Sequence, residues 1–463
     1  MFTPEDIIRA TAARHCGAAP AITGVATDSR AVRPGDLFVA LTGASFDGHA
    51  FVAAAARAGA AAALVARAMP VALPQFVVAD TLAAYQELAA FHRSRFDVPV
   101  IAVTGSNGKT TVKEMIAAIL RRCGRPVATE KNYNNHIGVP QTLLRLTPEH
   151  TQVVVEMGMN HPGEIARLAL LARPTVGVIT NIGSAHLEFF ETQDAIAQAK
   201  LELLEGLPQG GAVVLPRDDA YFALLRAVAL ERRAARVVTF GADAGSDVSL
   251  AVAQADYSGV TGRLSTPAGA HEVRLQLVGA HNALNAAAAA AAVWALDPCI
   301  PLAEVAAGLE SAVPAEMRCE VTWMNGIRVI VDCYNANPDS MSAALRLLAG
   351  NGHAGRRVAL LGDMRELGAA TRAAHERLGA TAAASGLDRL IAVGEFADEV
   401  VRGAVQAGMA RDAAQGFADG GAGAAAAFGY LKPGDVLLVK ASRHLELERA
   451  LDYHTRAAQQ CAA

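Results

Sequence analysis

The chain has 463 residues, 52% of them apolar and 19% charged, with a formal net charge of −4. That length predicts two to four domains with enough chain to build real cores, and the composition excludes a disordered polypeptide. The charge balance excludes a general nucleic-acid binder while leaving room for local basic pockets that take a small anion.

The N-terminus carries no basic and apolar leader pattern. It reads as a helix start, with Thr3 as cap, Pro4 at the first position and Glu5 and Asp6 in the first turn. A first block, residues 1–83, offers strands at 36–41 and 75–79 around an alanine-rich helix at 50–60. A helix from Thr81 to about Phe96, with Thr81 as its cap, leads into the next block.

The second block, 84–313, alternates strands (98–103, 152–156, 176–180, 211–215) with helices (111–122, 163–172, 194–206, 282–296). That alternation predicts a mostly parallel sheet covered on both faces. Residues 247–278 alternate more tightly and predict a small antiparallel insert. The third block, 314–463, places strands at 329–332, 357–361, 390–393 and 436–439 and a loop plus helix at 415–427, an open α/β sheet again. No repeat of fixed period occurs. The longest apolar stretch, residues 286–296, is too short to span a bilayer. Cys16, Cys123, Cys299, Cys319, Cys333 and Cys461 contain no C-x-x-C pair and read as reduced thiols. A soluble cytoplasmic protein is expected.

The most informative segment is Thr-Gly-Ser-Asn-Gly-Lys-Thr-Thr, residues 104–111, between an apolar strand and a helix running through Leu120. Gly105 and Gly108 let backbone N–H groups approach anionic oxygens, with Ser106 and Asn107 between them, and the helix start adds a favourable dipole. Lys109 is placed to reach β/γ-phosphates, and the hydroxyl of Thr110, followed by Thr111, to bind Mg²⁺. Val103 stands where the strict Walker spacing needs glycine, so the loop is a shortened variant. The segment predicts ATP binding.

Other polar residues fall at strand ends. Glu156 ends a strand beside the phosphate loop, where a carboxylate suits Mg²⁺. His186 follows a neighbouring strand, and by pattern alone it is either a ligand or a hydrogen-bonded core histidine. Lys200, read by pattern alone, is a helix lysine. Asn132, Asn134 and Asn135 form either a turn or a polar substrate loop, and Asn282 lies near a helix cap. Arg318 precedes a strand, while Asp332, Asn335, Asn337 and the segment 362–368 follow strands, where open α/β sheets bind ligands.

Taken together these motifs resemble the Mur ligases, ATP-dependent amide-forming enzymes of peptidoglycan synthesis, and the resemblance spans all three blocks. It rests on residues 104–111, Glu156, His186, Lys200, His281 and Asn282, Met317 and Arg318, and the Asp332 segment. Residues 332–341 and 362–368 resemble the members that join D-Ala-D-Ala to UDP-MurNAc-tripeptide. Asp28, Ser29 and Arg30, the segment 34–38, and Asp47 within 46–49 resemble the nucleotide-sugar domain. One departure is Lys440-Ala-Ser-Arg443, where the family pattern has Lys-Gly-Ser-Arg.

The resemblance implies three domains: a small N-terminal α/β domain (1–83) for the UDP-sugar, a central P-loop domain of mostly parallel sheet (84–313) and a Rossmann-like ligase domain (314–463). It implies that ATP phosphorylates the tripeptide carboxylate and that the dipeptide amine displaces phosphate. ATP would be held by residues 105–111, Asn282, Arg318 and Asp332. Thr110, Glu156, His186 and a carbamylated Lys200 would hold Mg²⁺, and Lys109, Glu156, His186 and Lys200 would carry the catalysis. Ser29, Arg30, Asp47, Asn134, Asn135, Asn335 and Asn337 would bind substrate. A monomer acting on small molecules is expected, with closure of the domains over ATP. Folylpolyglutamate synthase, the relative that adds the third amino acid, and a non-catalytic ATP switch are the rival readings.

Overall fold

The computed structural model of the chain describes residues 1–43, 46–232, 236–350, 355–449 and 451. Cys461, counted above among the thiols, lies outside the described residues. Three sheets follow one another along the chain. The first contains β1 (Arg14–Cys16), β2 (Gly24–Ala26), β3 (Asp36–Val39), β4 (Ala62–Val65) and β5 (Gln75–Val77), in the order β1-β5-β4-β3-β2. Only β1 runs antiparallel. Every residue of β3 and β4 is buried, as expected of strands covered on both faces.

The helix Thr81–Arg93 joins this sheet to the next. Its cap is Asp80 rather than the expected Thr81, because the Asp80 carboxylate accepts from Leu82 N and Ala83 N at 2.8 and 3.0 Å. The Thr81 hydroxyl instead donates to the Ala40 carbonyl, 3.0 Å away. Of two adjacent cap-competent residues, the charged one takes the positive helix end. One apolar cluster runs from Leu37, Leu64 and Phe76 through Tyr85 and Leu88 of this helix to Val100 and Val153 of the second sheet.

That second sheet has nine strands: β6 (Val100–Thr104), β7 (Pro126–Ala128), β8 (Gln152–Glu156), β9 (Val176–Ile179), β10 (Ala212–Pro216), β11 (Arg236–Gly241), β12 (Val248–Asp256), β13 (Gly259–Thr266) and β14 (Gly269–Leu275). The order is β14-β13-β12-β11-β10-β9-β6-β8-β7. Residues 247–278 do pair antiparallel, as β12, β13 and β14, but they form no separate insert. Phe240 and Gly241 of β11 pair in parallel with Val248 and Ser249 of β12, so the meander extends the central sheet. The helix His281–Leu296 buries every residue of 286–292, all alanine, and packs close to this sheet and to the helix Lys109–Cys123.

The third sheet holds β15 (Glu320–Met324), β16 (Ile327–Asp332), β17 (Arg357–Gly362), β18 (Arg389–Val393), β19 (Ala414–Phe417) and β20 (Val436–Lys440), in the order β15-β16-β20-β17-β18-β19. All neighbours are parallel except β15 with β16. The expected loop at 415–427 is therefore partly strand, β19, before the helix Gly420–Tyr430. Among the described residues no helix is long and apolar enough to cross a membrane.

Candidate active site

A cavity of about 530 Å³ lies where the C-terminal ends of β6, β8, β9, β16 and β20 converge, so two sheets line it. β6 ends at Thr104, and the helix Lys109–Cys123 begins two residues earlier than expected, with Gly108 as its cap. Two glycines make the turn possible. A Cβ on Gly105 (φ +147°) would stand 1.8 Å from Thr180 Oγ1, and one on Gly108 (φ +79°) would stand 2.3 Å from Asn285 Oδ1. Any other residue would be strained at these positive φ values and would have to displace Thr180 or Asn285.

Several donors of this loop are already engaged. Ser106 N donates to Asn181 O at 3.0 Å, and Asn107 N to Asn181 Oδ1 at 2.9 Å. The donors left for an anion are those of the first helical turn, where backbone N–H groups have no intrahelical partner. Lys109 Nζ lies 2.7 Å from Gly105 O and 3.3 Å from Ser106 O. Burial draws its ammonium below the usual lysine range, against the opposing pull of Glu156.

Thr110 Oγ1 and Glu156 Oε2 are buried without a hydrogen-bond partner. Asn134 Nδ2 holds the other carboxylate oxygen of Glu156 at 2.6 Å, and Glu156 N donates to Thr129 Oγ1. Two orphaned oxygens beside a phosphate cradle match a hard cation that completes its shell with phosphate and water. Among the described residues no cluster of three or more His, Cys, Asp or Glu makes a metal cage.

His186 adopts a left-handed conformation (φ +64°), and its Nδ1 lies 2.5 Å from Glu366 Oε2 of the third sheet's β17 loop. That contact holds the Glu366 carboxyl below its usual range. Lys200 is buried outside the cavity lining. Burial and the Lys109 charge pull its amine well below the ordinary lysine value, which favours the neutral form.

Across the cavity, Asn282 is not a helix cap. Its Nδ2 donates to Val278 O and its Oδ1 accepts from Asn285 Nδ2, both at 2.8 Å. The Arg318 guanidinium stacks 4.2 Å from the Tyr334 ring. Lys440 Nζ, almost fully buried, bonds Asp332 Oδ2 at 2.6 Å and Asn335 O at 3.0 Å. Burial and the adjacent Asp332 push the Cys319 thiol well up, so it stays protonated.

The structure thus brings together residues 106–111, Asn134, Glu156, His186, Asn282, Arg318, Asp332, Asn335 and Asn337. Asn135 is used locally, its Oδ1 accepting from Ile137 N and Gly138 N. Ser29, Arg30 and Asp47 sit on the first sheet, outside this cavity. There Arg30 pairs with Asp28, whose carboxyl is held down at about 2, and Asp47 bonds His49 and Arg67. Sequence reasoning assigned no role to Asn181, Asn285, Asp339, Glu366 or Lys440. All but Asn285 lay inside quoted motifs, Lys440 opening the Lys440–Arg443 pattern, but nothing in their spacing gave them a role.

Family models match three consecutive stretches: the Mur ligase family catalytic domain at 21–105, the Mur ligase middle domain at 103–293 and the Mur ligase glutamate ligase domain at 317–443. A UDP-N-acetylmuramoyl-tripeptide–D-alanyl-D-alanine ligase from Synechocystis sp. is 40% identical over 431 residues, covering 92% of this chain and 90% of its own. The crystal structure of MurF from Acinetobacter baumannii superposes with a TM-score of 0.90 at 34% identity, covering 98% of this chain and 99% of its own. MurF ligase from Thermotoga maritima, solved with ADP, gives 0.81 at 28% identity, covering 94% and 98%.

Proposed function

The chain belongs to the Mur ligase family, the ATP-dependent ligases of peptidoglycan synthesis, and we propose that it joins D-Ala-D-Ala to UDP-MurNAc-tripeptide, releasing ADP and phosphate. One observation carries this reading. A lysine-armed phosphate loop with two orphaned oxygens shares a single cavity with an arginine and a carboxylate from a different sheet.

An unactivated carboxylate is a poor electrophile, so a leaving group must be installed first. The tripeptide carboxylate oxygen bonds the γ-phosphorus as the bond to ADP breaks, giving an acyl phosphate. The dipeptide amine then attacks the acyl carbon, loses a proton and expels phosphate. Lys109 exchanges the Gly105 carbonyl for β/γ-phosphate oxygens and offsets charge that builds between two anionic reactants. Asn282, Arg318 and Asp332 hold the nucleotide, with Tyr334 keeping the guanidinium of Arg318 in plane.

Thr110 and Glu156 fit Mg²⁺, which would neutralise the phosphate oxygens, and His186 stands at the same edge for a second ion. Burial and the Lys109 charge ease loss of the Lys200 proton, so that the amine adds CO₂ and gives a carbamate whose charge complements Lys109. Ser29, Arg30 and Asp47 hold the UDP-sugar, and Asn134 and Asn335 face the peptide. Both substrates are small molecules, and the protein is proposed to act on them in the cytoplasm as a monomer.

Phosphate release from ATP with UDP-MurNAc-tripeptide, with and without D-Ala-D-Ala, tests the reading. A UDP-pentapeptide mass appearing only with the dipeptide supports it. Turnover with a dipeptide acceptor plus a diamino acid, or with folate plus glutamate, would replace the substrates while keeping the chemistry. Lys200→Ala is expected to lose activity and regain part of it with added small carboxylates. Unchanged activity in that variant would reject the carbamate.

A further inference from the structure

Asn107 occupies the centre of the phosphate loop, yet little of it is free to meet a phosphate. Its N–H donates to Asn181 Oδ1 at 2.9 Å. Its carbonyl accepts from Thr180 Oγ1 at 2.6 Å and from Asn181 Nδ2 at 3.0 Å. Its side-chain oxygen accepts from Asn337 Nδ2 at 2.8 Å, a contact that spans 230 residues of sequence and joins the second sheet's loop to the third sheet's. Phosphate oxygens need donors, and Asn107 retains one, its own Nδ2.

Asn337 is equally committed. It caps the helix Pro338–Ala349, its Oδ1 accepting from Ser340 N at 2.9 Å. That cap fixes which end of the amide is oxygen, so Nδ2 must point at Asn107. The contact is reinforced two residues on, where Asp339 Oδ2 accepts from Ser184 N at 2.8 Å. Gly183 lies between these partners: a Cβ there would stand 2.5 Å from Asp339 Oδ2 and 3.2 Å from Ser106 Cβ. Ser106 Oγ in turn accepts from Gly183 N at 2.8 Å. The phosphate loop, the 183–184 backbone and the first turn of the C-terminal helix therefore form one hydrogen-bonded layer.

We infer that Asn107 and Asn337 are positioning residues that tie the phosphate loop to the closed C-terminal sheet, so that Lys109 and Arg318 face the same phosphates only when this amide pair is made. The role rests on the ligase reading, and it adds that the central asparagine of the loop reports closure rather than gripping nucleotide.

A double-mutant cycle on the full chain tests it. Asn337→Ser keeps a cap-competent oxygen and removes the amide Nδ2, its one hydroxyl being too short to serve both cap and Asn107; Asn107→Ala removes the acceptor. Each is expected to lower kcat about tenfold, with KM for ATP within about twofold, because an unmade hydrogen bond of this kind is worth about that factor. The double variant should be no slower than the slower single one. Calorimetric ADP binding, measured without the other substrates, should stay within about twofold in every variant, which separates this inference from any error in the proposed substrates. Melting temperature reports the cap, and Asn337→Thr replaces Asn337→Ser if the latter fails to fold. Losses that multiply in the double variant would overturn the coupling. So would a loss of ADP affinity confined to Asn107→Ala, since that would make the residue a phosphate ligand.

Discussion

The two junctions of this molecule differ in the share of polar contact they carry. Between the first and second sheets the contact is a continuous apolar core threaded by the helix Thr81–Arg93, with Tyr85 and Leu88 fully buried. Arg93 there bonds three backbone carbonyls, those of Ala172, Phe96 and Val98. Between the second and third sheets Tyr257 and Val278 enter the third sheet's apolar cluster, with Leu187 packed against it, while the contacts beside the cavity are polar: Asn337 with Asn107, Asp339 with Ser184, Glu366 with His186 and Glu188. Apolar burial gains by staying shut, whereas hydrogen bonds exchange with water at small net cost. On the proposed function, the first junction is a fixed mount for the block that would hold the UDP-sugar. On the same reading, the polar contacts of the second would be remade as ATP enters and the cavity closes.

That contrast can be broken at its strongest points. Lys440→Met removes the partner of the buried Asp332 and is expected to cost about 3–5 kcal/mol, an uncompensated buried charge being the cause. Calorimetry should show the loss in a transition belonging to the third sheet alone. Leu88→Ala leaves a cavity in the shared core and should cost about 2–5 kcal/mol. Here the first two sheets should melt together at a lower temperature, while turnover per folded molecule holds. If Leu88→Ala instead split those sheets into separate transitions, the fixed-mount account would fail.

A smaller effect sharpens the same point. His92 donates from Nε2 to the Leu146 carbonyl at 2.9 Å, and its Nδ1 is buried without a partner. Burial lowers its pKa from 6.5, so the folded state takes up the proton at lower pH than the unfolded chain does. Stability from this group is present above pH 6.5 and is lost as pH falls through the depressed folded value, because the unfolded chain binds the proton first. Denaturant titrations below pH 6.5 should show a shallower pH slope in His92→Gln than in the parent chain.

How far the sequence reaches follows the range of the interactions. The phosphate loop was legible because glycine, lysine and a strand–turn–helix context lie within a dozen residues. Glu156 was legible because a carboxylate ending an apolar strand has few other uses. Asp80 and Thr81 were both cap-competent, and only the Ala40 carbonyl, forty-one residues away, decided which one served. Alternation over 247–278 revealed strands, but their attachment to β11 is a pairing that periodicity does not encode. Glu366 and Asn181 lie in strand-end segments the sequence did mark, but their roles, like that of Asn285, come from contacts between separate elements that those segments do not encode.

Hydrogen exchange on the full chain, with and without a non-hydrolysable ATP analogue, tests the contrast most directly. Amides at 183–190, 335–341 and 366–368 are predicted to exchange faster than those at 85–93 in the free protein and to slow when nucleotide binds. Equal protection at both junctions, unchanged by nucleotide, would contradict a cavity completed by closure of the third sheet.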